Sequence, residues 1–211
     1  MSGITHFSTF LIAGILLNLT PGNDTMYILS QSIARGRTAG IFSALGIGTG
    51  IIIHTVFAAL GLSLVIARSI VLFAAIKYVG AAYLVYLGIR MFLNKSGPRT
   101  NDGASVRSAD HLKTYRDAVL TNLFNPKVAL FFIAFLPQFI DPHQERTVVP
   151  FLVLGCTFVC TGTVWSLVLA TFSASLSRRL RSNTKITSLL NKLCGTVLLG
   201  LGAKIAFARA K

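Results

Sequence analysis

Residues 39–66 read AGIFSALGIGTGIIIHTVFAALGLSLVI, a stretch without Asp, Glu, Lys or Arg in which His54 is the one ionisable side chain. About 20 mainly apolar residues suffice for a helix to cross the roughly 30 Å hydrocarbon core of a bilayer, so the stretch reads as a membrane span. The run at 148–172 is likewise uncharged. Four further runs have the length of a span: 7–33, 70–92, 118–140 and 189–207, which carry Asp24, Lys77, Lys127 and Lys204 respectively. The runs are continuous and lack period-two alternation, which favours helices over barrel strands. The predicted fold is therefore an all-α polytopic membrane protein with six transmembrane helices.

Composition agrees. Of the 211 residues, 53% are hydrophobic and only 12% are charged, against about 25% charged in an ordinary soluble domain. Charges this sparse cannot cover the outside of a water-soluble core. The net charge of +14 raises nucleic acid as a partner, but no recognition motif accompanies it. The basic residues instead fall in short clusters between the apolar runs. Arg35 and Arg37 separate the first two runs. The third and fourth runs are separated by the loop and run ends that carry Arg90, Lys95, Arg99, Arg107, Lys113 and Arg116, and the fifth and sixth by those that carry Arg178, Arg179, Arg181, Lys185 and Lys192. The opposite side has only Arg68, Arg146, Arg209 and Lys211. Positive charge marks the cytoplasmic side, so both termini are expected outside. The N-terminus lacks a basic leader and its apolar run is too long for a signal peptide.

Segment 94–117 is the one substantial loop, with turn chemistry at Gly97-Pro98 and Asn101-Asp102-Gly103. It divides the chain into halves, 1–93 and 118–211, of three spans each. Three is odd, so the halves are expected to be inverted with respect to one another across the membrane. The first span of each half carries a similar interruption. Span one reads Asn18-Leu19-Thr20-Pro21-Gly22-Asn23-Asp24, and span four reads Asn122-Leu123-Phe124-Asn125-Pro126-Lys127. Proline removes a backbone donor and pushes the residue before it out of helical geometry. Both spans are therefore expected to be broken helices. A 3+3 inverted repeat with matched breaks is the sequence pointer to a transporter site.

The candidate site follows from those breaks. Freed carbonyls and amides inside a membrane persist only where protein, water or solute satisfies them, and the half-helix that follows each break favours an anion at its N-terminus. Asn18, Thr20, Pro21, Gly22, Asn23, Asp24, Asn122, Asn125, Pro126 and Lys127 are the expected solute-binding residues. Asp24 costs on the order of 2.5–3.5 kcal/mol near a helix centre and needs a partner or a wet cavity. Lys127 stands at the matching place, where it either pairs with Asp24 or snorkels to the interface. Asp24 and His54 are the candidates for proton coupling.

The other polar and small residues read as packing. Gly46, Gly48 and Gly50, Gly80 and Gly88, and Gly195, Gly200 and Gly202 form small-residue faces that let helices approach. They are compatible with a homodimer without requiring one. Trp165 and the cysteines Cys156, Cys160 and Cys194 read as core residues, and Lys77 and Lys204 as snorkelling or locally paired. Tyr86 suits an interfacial aromatic belt, while Tyr83 lies where it can reach the interior. No metal cluster, nucleotide motif or catalytic triad is present in the sequence, so no cofactor is expected and transport has to draw on a gradient.

Four stretches together resemble the LysE/RhtB family of amino-acid exporters. The first is Leu19-Thr20-Pro21-Gly22-Asn23-Asp24, and the second pairs Gly46-Ile47-Gly48-Thr49-Gly50 with Ala58-Ala59-Leu60-Gly61-Leu62-Ser63. The third pairs Lys77-Tyr78-Val79-Gly80-Ala81-Ala82-Tyr83-Leu84 with Tyr86-Leu87-Gly88-Ile89-Arg90. The fourth pairs Asn122-Leu123-Phe124-Asn125-Pro126-Lys127 with Phe135-Leu136-Pro137-Gln138-Phe139. Their order and the chain length match nearly the whole family pattern, though the last two spans carry little of it. The family often has a second proline where this chain has Asn23, a departure that bears on the geometry of the first break. The resemblance implies a bacterial inner-membrane exporter of amino acids or close derivatives, driven by proton antiport. A passive channel and an intramembrane enzyme or lipid-handling protein are the alternatives. The scarcity of acidic residues near the spans disfavours a strongly cationic solute.

Overall fold

The computed structural model describes residues 3–62, 110–141 and 148–182, with isolated helical positions between 75 and 89 and between 192 and 203. Most of the expected spans 70–92 and 189–207 and of segment 94–117 lies outside the described residues, as do Lys77, Tyr83, Cys194 and Lys204. Helix α1 is Phe7–Leu19 and α2 is Asn23–Arg35. Helix α3, Arg37–Phe57, runs on as a π-helical turn, Ala58–Leu62. Helix α4 is His111–Leu123. The short α5, Pro126–Leu130, continues through a π turn, Phe131–Phe135, and a 3-10 turn, Leu136–Phe139. Helix α6, Val148–Ser182, bends at Phe172 (φ −104°, ψ 17°).

Both expected breaks are present. Thr20 leaves α1 in extended geometry (φ −69°, ψ 120°) ahead of Pro21. Asn125 does the same (φ −78°, ψ 107°) ahead of Pro126, and α4 and α5 meet there at a bend of 48°. Helix α4 starts well ahead of its apolar run. Asp110 caps it by accepting from Lys113 N at 3.0 Å, a start that hydropathy does not register because the first turns are polar.

Two contacts fix the ends of the bundle. An antiparallel bridge joins Ile4 to Ile140, with Thr5 N donating to Phe139 O at 2.8 Å and Asp141 N to Gly3 O at 3.0 Å. At the other end Phe42 stacks on His111, ring centroids 4.9 Å apart, and Tyr27 donates to Thr114 O at 3.1 Å. The start of α1 and the end of α5 therefore share one side, and Arg35, Arg37, Lys113 and Arg116 gather on the other.

Helix α3 packs between α4 and α6, and its glycines make that approach possible. A Cβ on Gly46 would collide with the Tyr115 carbonyl and the Ala118 side chain, and one on Gly50 would stand 2.7 Å from Asn122 Cβ. Gly48 faces Thr163 of α6, and Gly155 of α6 faces Thr55 of α3. Hydroxyls in these apolar helices bond back to their own ladder, as Ser43 does to Ala39 O (2.8 Å) and Thr55 to Ile51 O (2.9 Å). An aromatic cluster joins α1, α5 and α6. Phe131 stacks on Phe158 at 4.3 Å, and Phe10 meets Phe139 edge-on at 5.4 Å. Each such pair contributes about 0.5–1.5 kcal/mol beyond burial.

The exterior is apolar. Phe57 is 67% exposed, Val164 63% and Phe124 82%, a surface that suits lipid and not water. Among the described residues, Arg37–Leu62 and Val148–Ser173 are each long and apolar enough to cross a membrane at 26 residues, about 39 Å at 1.5 Å per residue. The α4–α5 pair qualifies as one bent span. The chain is a multi-pass helical membrane protein. One packing expectation is corrected: Cys156 and Cys160 are exposed and free. They lie on the outer face of α6, while its small and hydroxyl residues turn inward.

Gly46→Val is expected to destabilise the protein by about 1–3 kcal/mol through overpacking. Gly61→Ala, whose new methyl meets nothing within 4 Å, is expected to be silent. Thermal unfolding in detergent separates the two, and equal melting temperatures would contradict the close α3–α4 approach.

Candidate functional site

The two breaks face each other. Lys127, in the first turn of α5, extends to the end of α1, where its Nζ donates to Leu17 O at 2.7 Å and to Thr20 O at 2.9 Å. Leu17 and Thr20 close the last turn of α1, whose ladder stops at Pro21. The carbonyls that this proline strands are thus satisfied by an ammonium from the other broken helix. Its stem passes beside Gly22, where a Cβ would lie 3.6 Å from Lys127 Cδ. Lys127 points into the protein rather than to the interface.

Asp24 stands in the first turn of α2, where the helix dipole favours a carboxylate. Its Oδ2 accepts from Asn122 Nδ2 at 2.8 Å. Its Oδ1 is buried without a hydrogen-bond partner among the described residues. The Asn125 amide and the charges of Lys127 and His54 lie near enough to act on the carboxyl. Asn122 is fully buried, and its backbone carbonyl lies 3.4 Å from His54 Nε2. One residue of α4 thus touches both the acid of α2 and the imidazole of α3. The His54 ring stacks on Phe132 at 5.7 Å.

Other expected residues take different places. Asn125 caps α5, its Oδ1 accepting from Lys127 N at 3.0 Å, with Pro126 at the first helical position, where its missing N–H costs nothing. The Thr20 hydroxyl turns back to Leu16 O at 2.8 Å, while the residue itself lines the cavity. Asn18 donates to Thr161 Oγ1 of α6 at 3.1 Å. Asn23 and Pro126 are exposed, so their contribution is to the shape of the breaks.

A cavity of about 40 Å³ lies between the breaks. Its walls include Asn18, Gly22, Asp24, Asn125, Lys127, Trp165 and Ser166. That volume is on the scale of a few water molecules, so this conformation is closed to a larger solute. A wider apolar groove of about 370 Å³ lies beyond it, lined by Ile15, Leu19, Cys160 and Val164 among others, with Asn18 and Trp165 lining both. Trp165 read as packing in the sequence. Here it is part of the wall, its indole N–H buried and without a hydrogen-bond partner among the described residues. Thr161, Gly162 and Ser166 of α6 were also not singled out. Their signal was the recurrence of small and hydroxyl residues at helical spacing within an apolar run.

The LysE type translocator family matches the chain over residues 15–209. The chain is 33% identical over 203 residues to the homoserine/homoserine lactone efflux protein of Salmonella typhimurium, with 95% of each covered. It is 34% identical over 201 residues to an uncharacterised membrane protein of Vibrio cholerae, covering 95% of this chain and 96% of that one. To the membrane protein YrhP of Bacillus subtilis it is 32% identical over 196 residues, covering 90% and 92%. No solved structure matches.

Removing the Asn122 amide leaves a charged acceptor unpaired, so Asn122→Ala is expected to cost about 1–3 kcal/mol. In a double-mutant cycle with Asp24→Ala the two are expected to couple by about 1 kcal/mol or more. Additive melting changes would contradict the contact.

Proposed function

The chain belongs to the LysE type translocator family, and from that premise we propose that it exports amino acids or close derivatives across a bacterial cytoplasmic membrane by proton antiport. A translocator moves solutes, so the activity is transport and not catalysis. The observation that carries the finer reading is the meeting of the two broken helices. A carboxylate with one buried oxygen unpaired among the described residues and an inward-turned ammonium share one cavity there.

Antiport follows from the charge of Asp24. A carboxylate at membrane depth is costly unless compensated. It is compensated either by a proton or by a cation beside it, and the two are alternatives at one group. A solute ammonium leaving with the site facing outward frees Asp24 to take a proton. Release of that proton on the inside readies the site for the next solute. His54 lies one residue away, through Asn122, and serves as the second proton carrier. The efflux relative from Salmonella typhimurium is named for homoserine and its lactone. Those two molecules share a primary ammonium and differ at the carboxyl, which supports an amino acid or derivative as solute here.

The movement is alternating access between two halves, 1–93 and 118–211, inverted with respect to each other and joined by the cytoplasmic segment 94–117, whose last residues open α4, with both termini outside. Two features support that arrangement. The matched breaks come from α1–α2 and α4–α5, and the basic residues gather at one end of the bundle. Alternation in such a repeat is rocking of one bundle about a fixed central site.

Everted membrane vesicles supply the test. Energised by respiration, they are expected to accumulate homoserine or its lactone, and a protonophore is expected to abolish the accumulation. Asp24→Asn is expected to reduce it to background while the protein still reaches the membrane in normal amount. Undiminished accumulation by that variant would overturn the role of Asp24, and accumulation indifferent to the protonophore would overturn proton coupling.

A further inference from the structure

The end of α1 turns backbone acceptors toward the other broken helix. Leu17 O and Thr20 O point at one position, 2.7 and 2.9 Å from the Lys127 ammonium. A helix C-terminus carries partial negative charge, and Pro21 removes the amide that would have continued the ladder. The Asp24 carboxylate, its Oδ1 buried and without a partner among the described residues, stands close enough for its charge and that of Lys127 to act on each other. Two carbonyls at one point, with a carboxylate near enough to act there by its charge, match a primary ammonium, which has three donors and no acceptor. They offer nothing to a carboxylate or to a neutral acceptor group.

The ammonium now in that position is tethered to the opposite half of the bundle. Lys127 reaches it from α5 along the bare backbone of Gly22. The cavity that remains, about 40 Å³, does not admit an amino acid while the lysine is seated.

We propose that the acceptor cluster at the end of α1 is the binding site for the primary ammonium of the transported solute, and that Lys127 is a tethered placeholder occupying it when no solute is bound. The identity of the visitor as a transported solute rests on the export reading above. Two ammonium groups at one set of acceptors repel each other, so an arriving solute displaces Lys127. The displaced ammonium is then free to meet the carboxylate of the same solute, and the vacated stem leaves room for its body. Such an exchange selects primary ammonium compounds. It rejects N-acylated ones, which lack the charge, and quaternary ones, which lack the donors.

Purified full-length Lys127→Ala in detergent, probed with n-propylammonium, tests the site without any transport assay. Millimolar n-propylammonium is expected to raise its melting temperature by several degrees through binding to the folded state. n-Propanol and tetramethylammonium are expected not to, and the unaltered chain, whose site is already filled, is expected to respond far less. Adding Asp24→Asn to Lys127→Ala is expected to weaken the response. Equal responses to amine and alcohol, or an equal response of the unaltered chain, would overturn the assignment. If Lys127→Ala does not accumulate in membranes, its recovery by n-propylammonium in the growth medium takes the place of the melt. Recovery by the amine and not by the alcohol supports the site, and no recovery counts against it. An intact amine response with failed vesicle export sinks only the export reading. Normal export without the amine response sinks only the placeholder.

Discussion

Backbone interrupted inside hydrocarbon has no water to bond, so each freed carbonyl must find its partner within the protein. In this chain Pro21 frees the carbonyls at the end of α1, and the ammonium of Lys127 receives them. Much else depends on that contact. It holds α5 against the break in α1, so the two broken helices cannot drift apart independently. It also brings a positive charge to membrane depth, where the carboxylate of Asp24 needs one. A lysine buried for packing alone would be an expensive choice at this depth. Here its charge is compensated on more than one side.

Asn122 extends the same logic to the centre of the bundle. It is fully buried, with its amide on Asp24 and its carbonyl near His54. It occupies this place because Gly50 across from it has no side chain. The glycine face of α3 therefore does more than pack helices closely. It admits a polar residue of α4 to the axis on which acid, imidazole and cavity meet. Packing this tight favours movement of whole helices against one another over local give, which is how a translocator of this architecture is expected to work.

The wall opposite the breaks is supplied by α6. Trp165 separates the small closed cavity from the wider apolar groove. Its indole N–H, unpaired among the described residues, gives the partition a donor that an ordinary packing residue would lack. The cavity walls thus draw on two helices, α3 and α6, besides the broken pair.

The sequence by itself determined the solvent, the helical kind of the spans, the two breaks, and the acid and base placed at them. Each is a property of the chain read in order. An uncharged run such as 39–66 is long enough for lipid and too apolar for water, and Pro21 and Pro126 stop a helix wherever they stand. Tertiary structure alone decided which way each helix turns about its axis. It sent the Thr20 hydroxyl back to Leu16, left Asn23 and Pro126 on the surface, drew Lys127 inward, and put Trp165 in the wall with Cys156 and Cys160 outside. The physical reason is that a helix apolar on every side carries no stripe to mark its inner face. Rotation is then set by where a glycine lets a neighbour close in and by which buried polar group finds a partner, and both conditions belong to pairs of helices and not to one segment.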